Sequence, residues 1–543
     1  MAIYDIYGNT LSALRDINGT GISAAYDING FAVWRNEDGI NRTLKNARSF
    51  PDPLGFRVGE EYVETFIAED GYTMDGASVS VVMDGEDITD SVYTTGAVVI
   101  DNVSDDLSIF VEAVKINYVV PPASDFTLEL YNGKQAIKSY KGTETCVEIP
   151  SEITVDGTKY ETSIYYTGLP TTVEHLKLSC GTPAYSTLQT MCVNFGSANL
   201  KTFWNNTETE LYFGTGANAE RVLTPNQTGA TTFQKQKNNT KISTARQMKY
   251  PTAVTAGETL FYGDSALVDA GTIPSWWTSL HFAFFTCSSL RRISIDAKGI
   301  TEHGNWISGV RADCKAKVHP DSETFRYMRS QAVGGSGSGY AQPVLRLYPY
   351  DDSEEIHTIL CIGDSLTRGV GCDDAATEAY PAKLLEKLSN NTIVYNEGLG
   401  STTTEWHRDK MLNNANMPYL NDALVILWTG TNGNGSDSTV ETLETLIEEM
   451  ISAMGNNTKF LLIPAVAAAL GASGTEAHAS HKQWCIDRYG ADHVFDVYEW
   501  FSSLGYTRSD YMTDTLHYNA DGYAIIADGI YEKLNANGWV TPA

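Results

Sequence analysis

The stretch that decides the fold of the carboxyl-terminal part is Thr358-Ile359-Leu360-Cys361-Ile362-Gly363-Asp364-Ser365-Leu366. Five apolar or β-favouring residues end abruptly on Gly-Asp-Ser, so a buried strand runs into a tight turn that can project a serine hydroxyl. Working outward, Thr392–Tyr395, Ala423–Trp428, Phe460–Pro464 and Val494–Tyr498 repeat the short apolar run. Helical stretches separate them. Between the third and fourth runs, Val440, Leu443, Leu446, Ile447, Met450, Ile451 and Met454 mark one helix face. Alternation of strands and helices with near-continuous apolar strands predicts a parallel sheet covered on both sides. Such sheets place their sites at the carboxyl ends of the strands.

Two more short motifs fall at such places. Gly430-Thr431-Asn432 follows the third strand directly, and Asn carries an amide N–H pair able to hold an oxyanion. Asp514-Thr515-Leu516-His517 lies in a loop before a last helix predicted over Asp521–Leu534. A histidine can take a proton from a hydroxyl, and a carboxylate can fix its tautomer. Each motif alone is common by chance: Ser365 as a helix cap, Asn432 as a turn residue, His517 as a satisfied loop histidine. In this order and at these positions, they read as one catalytic set.

Residues 356–538 resemble the SGNH/GDSL hydrolase superfamily. Cys361-Ile362-Gly363-Asp364-Ser365-Leu366-Thr367-Arg368-Gly369 is similar to its first block, with Tyr380-Pro381 in the helix that follows. Asp514-Thr515-Leu516-His517-Tyr518-Asn519-Ala520-Asp521-Gly522-Tyr523 is similar to its last. The resemblance implies Ser365 as nucleophile, His517 as general base and Asp514 as its orienter. It also implies acyl transfer without a metal or cofactor. The oxyanion would be held by the Ser365 N–H, a second backbone N–H and the Asn432 amide. Asn396-Glu397-Gly398-Leu399-Gly400-Ser401 departs from the second block, with Ser401 where the family carries glycine and Gly400 one place earlier. Either residue can supply the N–H. In the third block Gly433 replaces the usual final Asp.

The remaining chain reads as β-rich. Asp5-Ile6-Tyr7-Gly8, Asp16-Ile17-Asn18-Gly19 and Asp27-Ile28-Asn29-Gly30 recur as turn chemistry, without the ligand-rich loop of a calcium site. Residues 1–50 are read as a β adapter or oligomerisation segment. Period-2 runs such as Ser78–Met83, Gly96–Ile100 and Leu107–Val111 predict an antiparallel, immunoglobulin-like β-sandwich over 51–165. Over 166–330, Ala283-Phe284-Phe285-Thr286-Cys287-Ser288-Ser289-Leu290 resembles one leucine-rich-repeat unit of bacterial surface adhesins. This suggests a repeat-type β stalk with Cys287 as a packing residue. Gly334–Gly339 centres a linker over 331–355, and the hydrolase domain fills 356–543.

Composition narrows the partners. The 543 residues carry a formal charge of −29, which argues against a nucleic-acid partner. No apolar run is long enough to span a bilayer, so membrane insertion is not expected. The eight cysteines follow no metal-ligand spacing and are expected to be mostly reduced. His407, His478, His481 and His493 are expected on the surface or in loops, Trp276-Trp277 in a core, and Arg368 either beside the cleft or exposed. The opening residues lack a secretory signal pattern. The first 120 residues resemble amino-terminal modules of phage tail proteins. The expectation is therefore a carbohydrate O-acetylesterase on a phage tail fibre or receptor-binding protein. It would be a homotrimer or other homo-oligomer on the virion, contacting baseplate or tail proteins and acting on acetylated host polysaccharide or a small ester. The alternatives are a bacterial cell-surface carbohydrate esterase, or a glycan-binding adhesion protein with a degenerate hydrolase domain.

Overall fold

The computed structural model describes residues 32–35, 40–168, 172–179, 192–193, 202–205, 212–213, 243–334, 345–412, 420–432, 440–466 and 474–543, with short gaps inside several of these ranges. The Asp-Ile repeats of residues 1–30, most of the Gly/Ser linker, and Gly433 lie outside the described residues. The chain divides into two compact units, Met1–Arg311 and Ala312–Ala543. Among the described residues no helix is long and apolar enough to cross a membrane.

The first unit is β-rich. One sheet orders Ala32–Arg35, Asn41–Lys45, Leu107–Lys115, Tyr72–Met83 and Glu86–Asp87; another orders Ala47–Phe50, Tyr62–Ala68, Ala97–Ile100 and Tyr93–Thr94. The alternation read in the sequence is real: Leu107, Ile109, Val111 and Ala113 are buried, joining Phe66, Val81, Val98 and Ile100 in one core. Strand direction differs from the expectation at two places. Residues 135–139 pair parallel with 162–168, inside the stretch read as antiparallel. Residues 41–45 pair parallel, not antiparallel, with 108–112. Alternation reports which face is buried and carries no information about a neighbour's direction.

Farther along, Cys146–Ile149, His175–Leu178 and Thr202–Asn205 pair parallel. Over 257–306 backbone hydrogen bonds recur at a spacing of 22 residues. Gly257 N donates to Ser279 O, Phe261 N to Ala283 O, Leu280 N to Glu302 O and Phe284 N to Trp306 O. Ala283, Phe284, Cys287 and Leu290 are fully buried, and the Cys287 thiol donates to Phe261 O at 2.9 Å. Trp277 is buried as expected, whereas Trp276 is 36% exposed.

In the second unit, β1 (His357–Gly363), β2 (Thr392–Gly398), β3 (Leu424–Trp428) and β4 (Phe460–Ile463) form a parallel sheet in the order β2-β1-β3-β4. All of β3 and β4 is buried, as a sheet covered on both faces requires. Seven helices bear on the site or its scaffold: α1 (Ser365–Arg368), α2 (Tyr380–Leu385), α3 (Thr404–Leu412), α4 (Val440–Ala453), α5 (Gly474–Tyr489), α6 (Val497–Ser503) and α7 (Ala520–Ala536). On α4, Leu443, Leu446, Ile447 and Met450 are buried; on α7, Tyr523, Ile526, Ala527, Ile530 and Leu534 are buried. Both sets follow the three-and-four spacing of a core-facing stripe.

The fifth strand is a correction. Residues 494–498 make no strand: Val494 forms a single parallel bridge with Leu462, and the chain then turns into α6. Asp496 causes the change. Its Oδ1 accepts from Tyr498 N at 2.8 Å and Glu499 N at 3.4 Å, capping a helix inside what reads as an apolar run.

Candidate active site

Strand register brings the motifs to one level. Gly363, the last residue of β1, stands opposite Gly398 of β2 and Trp428 of β3. The segments carrying Ser365, Gly400–Ser401 and Asn432 therefore leave the sheet side by side. Two glycines make this possible. A Cβ on Gly363 would lie 2.2 Å from both Trp428 O and Thr367 Oγ1, and one on Gly398 would lie 2.2 Å from Arg368 N. Asp364 Oδ1 accepts from Leu366 N at 3.0 Å and caps α1, the short helix that Ser365 begins. Asp364 is fully buried, and burial raises its carboxyl above the ordinary value.

The loop before α7 supplies the other two groups. Asp514 Oδ1 accepts from Leu516 N and His517 N, each at 2.7 Å, and Asp514 Oδ2 accepts from His517 Nδ1 at 2.8 Å. The bond to His517, with the two backbone amides behind it, holds the Asp514 carboxyl down at about 2, although it is exposed. An ionised carboxylate accepts only, so Nδ1 carries the ring proton and Nε2 presents its lone pair. Nε2 lies 2.9 Å from Ser365 Oγ. Ser365, His517 and Asp514 thus form one continuous chain across 152 residues of sequence. Thr513 N donates to His517 O at 2.9 Å, and Asn519 Oδ1 accepts from Gly522 N at 2.9 Å to start α7, so the loop is fixed at both ends.

On the other side of Ser365 lies the loop after β2. A Cβ on Gly400 would sit 4.0 Å from Ser365 Cβ and 3.5 Å from Arg368 Nη1, so Gly400 lines the serine and Arg368 lies beside it. Ser401 takes a φ of 65°, the left-handed conformation that favours glycine. Asn432 Nδ2 donates to Thr402 O at 3.0 Å, so Asn432 is tied to this loop and retains a second amide hydrogen.

Three of the four other histidines do not lie where they were expected. His407 is fully buried, His481 1% exposed and His478 8% exposed; only His493 is half-buried, with Nδ1 2.9 Å from Phe460 O. His407 Nε2 meets Thr402 Oγ1 at 2.9 Å and Nδ1 meets Thr429 Oγ1 at 2.7 Å. Reading for metal-ligand spacing passed over it. The usable signal was helical: Thr404, His407 and Met411 occupy one face of α3 and all three are buried. Among the described residues one cluster, His319, Asp321 and Glu354, brings metal-ligand atoms within 4.8 Å of one another. His319 Nδ1 is already 2.8 Å from Glu354 Oε1. Cys361 and Cys485 are buried, unbridged thiols, each pushed up to about 12 by burial.

The buried histidines set an acid sensitivity. Burial, helped by Lys410, pushes His407 down to about 4; burial, helped by His478, does the same to His481. Below the ordinary histidine value of about 6.5 the unfolded chain binds protons that the folded chain refuses until about pH 4. Stability therefore falls as pH drops through that window. His478 opposes this, because its bonds to Asp496 and Ala465 O outweigh burial and raise its value, but it is one group against three, since burial also pushes His303 down to about 4. The thermal midpoint should fall between pH 7 and pH 4.5, and by less in His481→Phe. A flat midpoint over that range contradicts the assignment.

A parallel sheet with a serine, a histidine and an aspartate bonded in series at its carboxyl edge is the arrangement of a serine hydrolase. The sequence model of the GDSL-like lipase/acylhydrolase family matches residues 361–525, which form a GDSL-type hydrolase domain in this chain. No curated protein matches the chain. Among solved structures, it is similar to a lipase/acylhydrolase from Enterococcus faecalis at 20% identity, over 35% of this chain and 99% of that one, with a TM-score of 0.29. Est24, a carbohydrate acetylesterase from Sinorhizobium meliloti, is 16% identical over 33% and 99%, with a TM-score of 0.26. A lipolytic G-D-S-L protein from Veillonella parvula is 18% identical over 32% and 97%, with a TM-score of 0.27.

Proposed function

We propose that the carboxyl-terminal unit is a serine esterase that releases small acyl groups, acetate foremost, from carbohydrate. The observation that carries the reading is the bonded chain from Ser365 Oγ through His517 to Asp514. In the first half-reaction His517 Nε2 takes the Ser365 proton as Oγ attacks the ester carbonyl carbon. The carbonyl oxygen becomes an oxyanion, held by the Ser365 N–H, the Gly400 or Ser401 N–H and the Asn432 amide. As the tetrahedral intermediate collapses, the carbon–alkoxy bond breaks and the alcohol leaves with the proton from His517. Water then attacks the acyl-serine by the same route, releasing the acid and restoring Ser365.

The preference for a short acyl group is supported by the sequence between the motifs, which holds no long amphipathic insertion beyond the domain's own helices to cover a lipid chain. A sugar as the alcohol part is supported by Trp406, 38% exposed on α3 just past the Gly400–Thr403 loop, where a flat apolar face suits a pyranose ring. We further propose that the β-rich first unit carries this esterase on a phage tail fibre, as an oligomer acting on acetylated host polysaccharide. The resemblance of the first 120 residues to tail-protein modules supports this.

The test is hydrolysis of p-nitrophenyl acetate, butyrate and octanoate beside acetate release from an acetylated polysaccharide. Acetate esters should turn over fastest and the polysaccharide should lose acetate. Faster turnover of octanoate overturns the acetylesterase reading. Absence of turnover with any ester overturns the esterase reading in favour of a glycan-binding role.

A further inference from the structure

We infer that His407 is a positioning residue that locks together the two loops carrying the oxyanion donors. The inference rests on the esterase reading above. Thr402 follows Gly400 and Ser401 on one loop. Thr429 is the first residue after β3 and leads to Asn432 on the other. The His407 ring stands between them, with Nε2 2.9 Å from Thr402 Oγ1 and Nδ1 2.7 Å from Thr429 Oγ1. Asn432 Nδ2 closes the circuit on Thr402 O at 3.0 Å.

The proton assignment follows from one bond. Thr402 Oγ1 spends its hydrogen on Leu399 O at 2.5 Å, so toward the ring it accepts, and Nε2 carries the imidazole proton. Nδ1 faces the Thr429 hydroxyl at 2.7 Å, and that hydroxyl also lies within donating reach of Thr404 Oγ1 at 3.2 Å. The imidazole is fully buried, so its nitrogens need polar partners, and the two hydroxyls supply them alongside the Gly363 backbone. An apolar ring of the same size would fill the space but drop both ring bonds, leaving the Asn432–Thr402 bond to tie the loops without that brace. That difference separates positioning from packing. His407 never touches the ester; it keeps the second N–H donor and the Asn432 amide at one spacing, where small displacements are costly to a preorganised site.

The experiment uses the full-length protein and p-nitrophenyl acetate, with thermal midpoints recorded for every variant. His407→Phe should lower kcat by about tenfold or more while KM stays within about twofold, because the lost interaction acts in the transition state. Thr429→Val, which removes only the far hydroxyl, should lower kcat in the same sense, and it decides the matter if His407→Phe does not fold. His407→Gln, whose amide nitrogen and oxygen can stand in for Nε2–H and Nδ1, should recover most of the loss. In an Asn432→Ala background the His407→Phe effect should shrink to about threefold or less, since one of the two donors whose spacing it fixes is gone. A His407→Phe protein with wild-type kcat, or a loss equally large in the Asn432→Ala background, overturns the inference and leaves the esterase reading intact. Wild-type protein without Ser365-dependent hydrolysis overturns that reading and this inference with it.

Discussion

Ser365→Ala should lower kcat for p-nitrophenyl acetate by about 10⁴-fold or more, the scale on which serine hydrolases respond to loss of their nucleophile. The reason lies in the chain of bonds. Ser365 Oγ is the atom that His517 Nε2 faces at 2.9 Å, and the opposite ring nitrogen is held by an ionised Asp514. Without Oγ no acyl-serine forms, and what remains is water attack near an intact set of oxyanion donors. KM should change little, because the hydroxyl contributes to the transition state and the covalent intermediate and little to ground-state binding. His517→Ala should fall in the same range, and the double variant should be no worse than either single one, since the two act as a unit. A single-variant loss below about tenfold means that the ester is cleaved elsewhere on the protein, and stopped-flow release of p-nitrophenol measures it.

Asn432→Ala should cost about 10²- to 10³-fold in kcat, the usual effect of removing one side-chain donor from an oxyanion hole. Asn432 lies after β3, whose last residue Trp428 stands in register with Gly363, so its amide belongs to the same edge of the sheet as Ser365. One of its hydrogens is committed to Thr402 O, and the proposed mechanism gives the other to the oxyanion. Asn432→Asp is the sharper variant. It keeps the shape but sets a carboxylate against a developing negative charge, so its loss should exceed that of alanine. Equal activity of Asn432→Asp and wild type removes Asn432 from the site. Burst amplitude and steady-state rate together show whether acylation, the step in which the oxyanion first forms, is the one affected.

The legible parts of this molecule are those whose physics is local. β1 and its Gly-Asp-Ser turn could be read because an all-apolar run ended on a residue that tolerates no Cβ. The Asp514–His517 pair could be read because three residues of separation already allow the side-chain bond within one loop. Residues 494–498 depart from a strand because an apolar run of that length suits a strand or a buried helix start equally, and a single capping carboxylate, Asp496, decides between them. His407 was missed for a related reason. A histidine among threonines looks polar and exposed until the burial of Thr404 and Met411 on the same helix face is known. The parallel pairing of residues 41–45 and the 22-residue ladder over 257–306 depend on which segments meet in space, and no short window of sequence contains that.

The two glycines that end β1 and β2 have a consequence for how such an enzyme can diversify. With Gly363 pressed on the Trp428 carbonyl and Gly398 on the Arg368 amide, the floor beneath the nucleophile has no room for any side chain. New substrate preferences cannot be written there by ordinary point changes. They must arise in the walls above, as in the loop from Ser401 to Thr403, which can be lengthened or recoloured while the floor stays as it is.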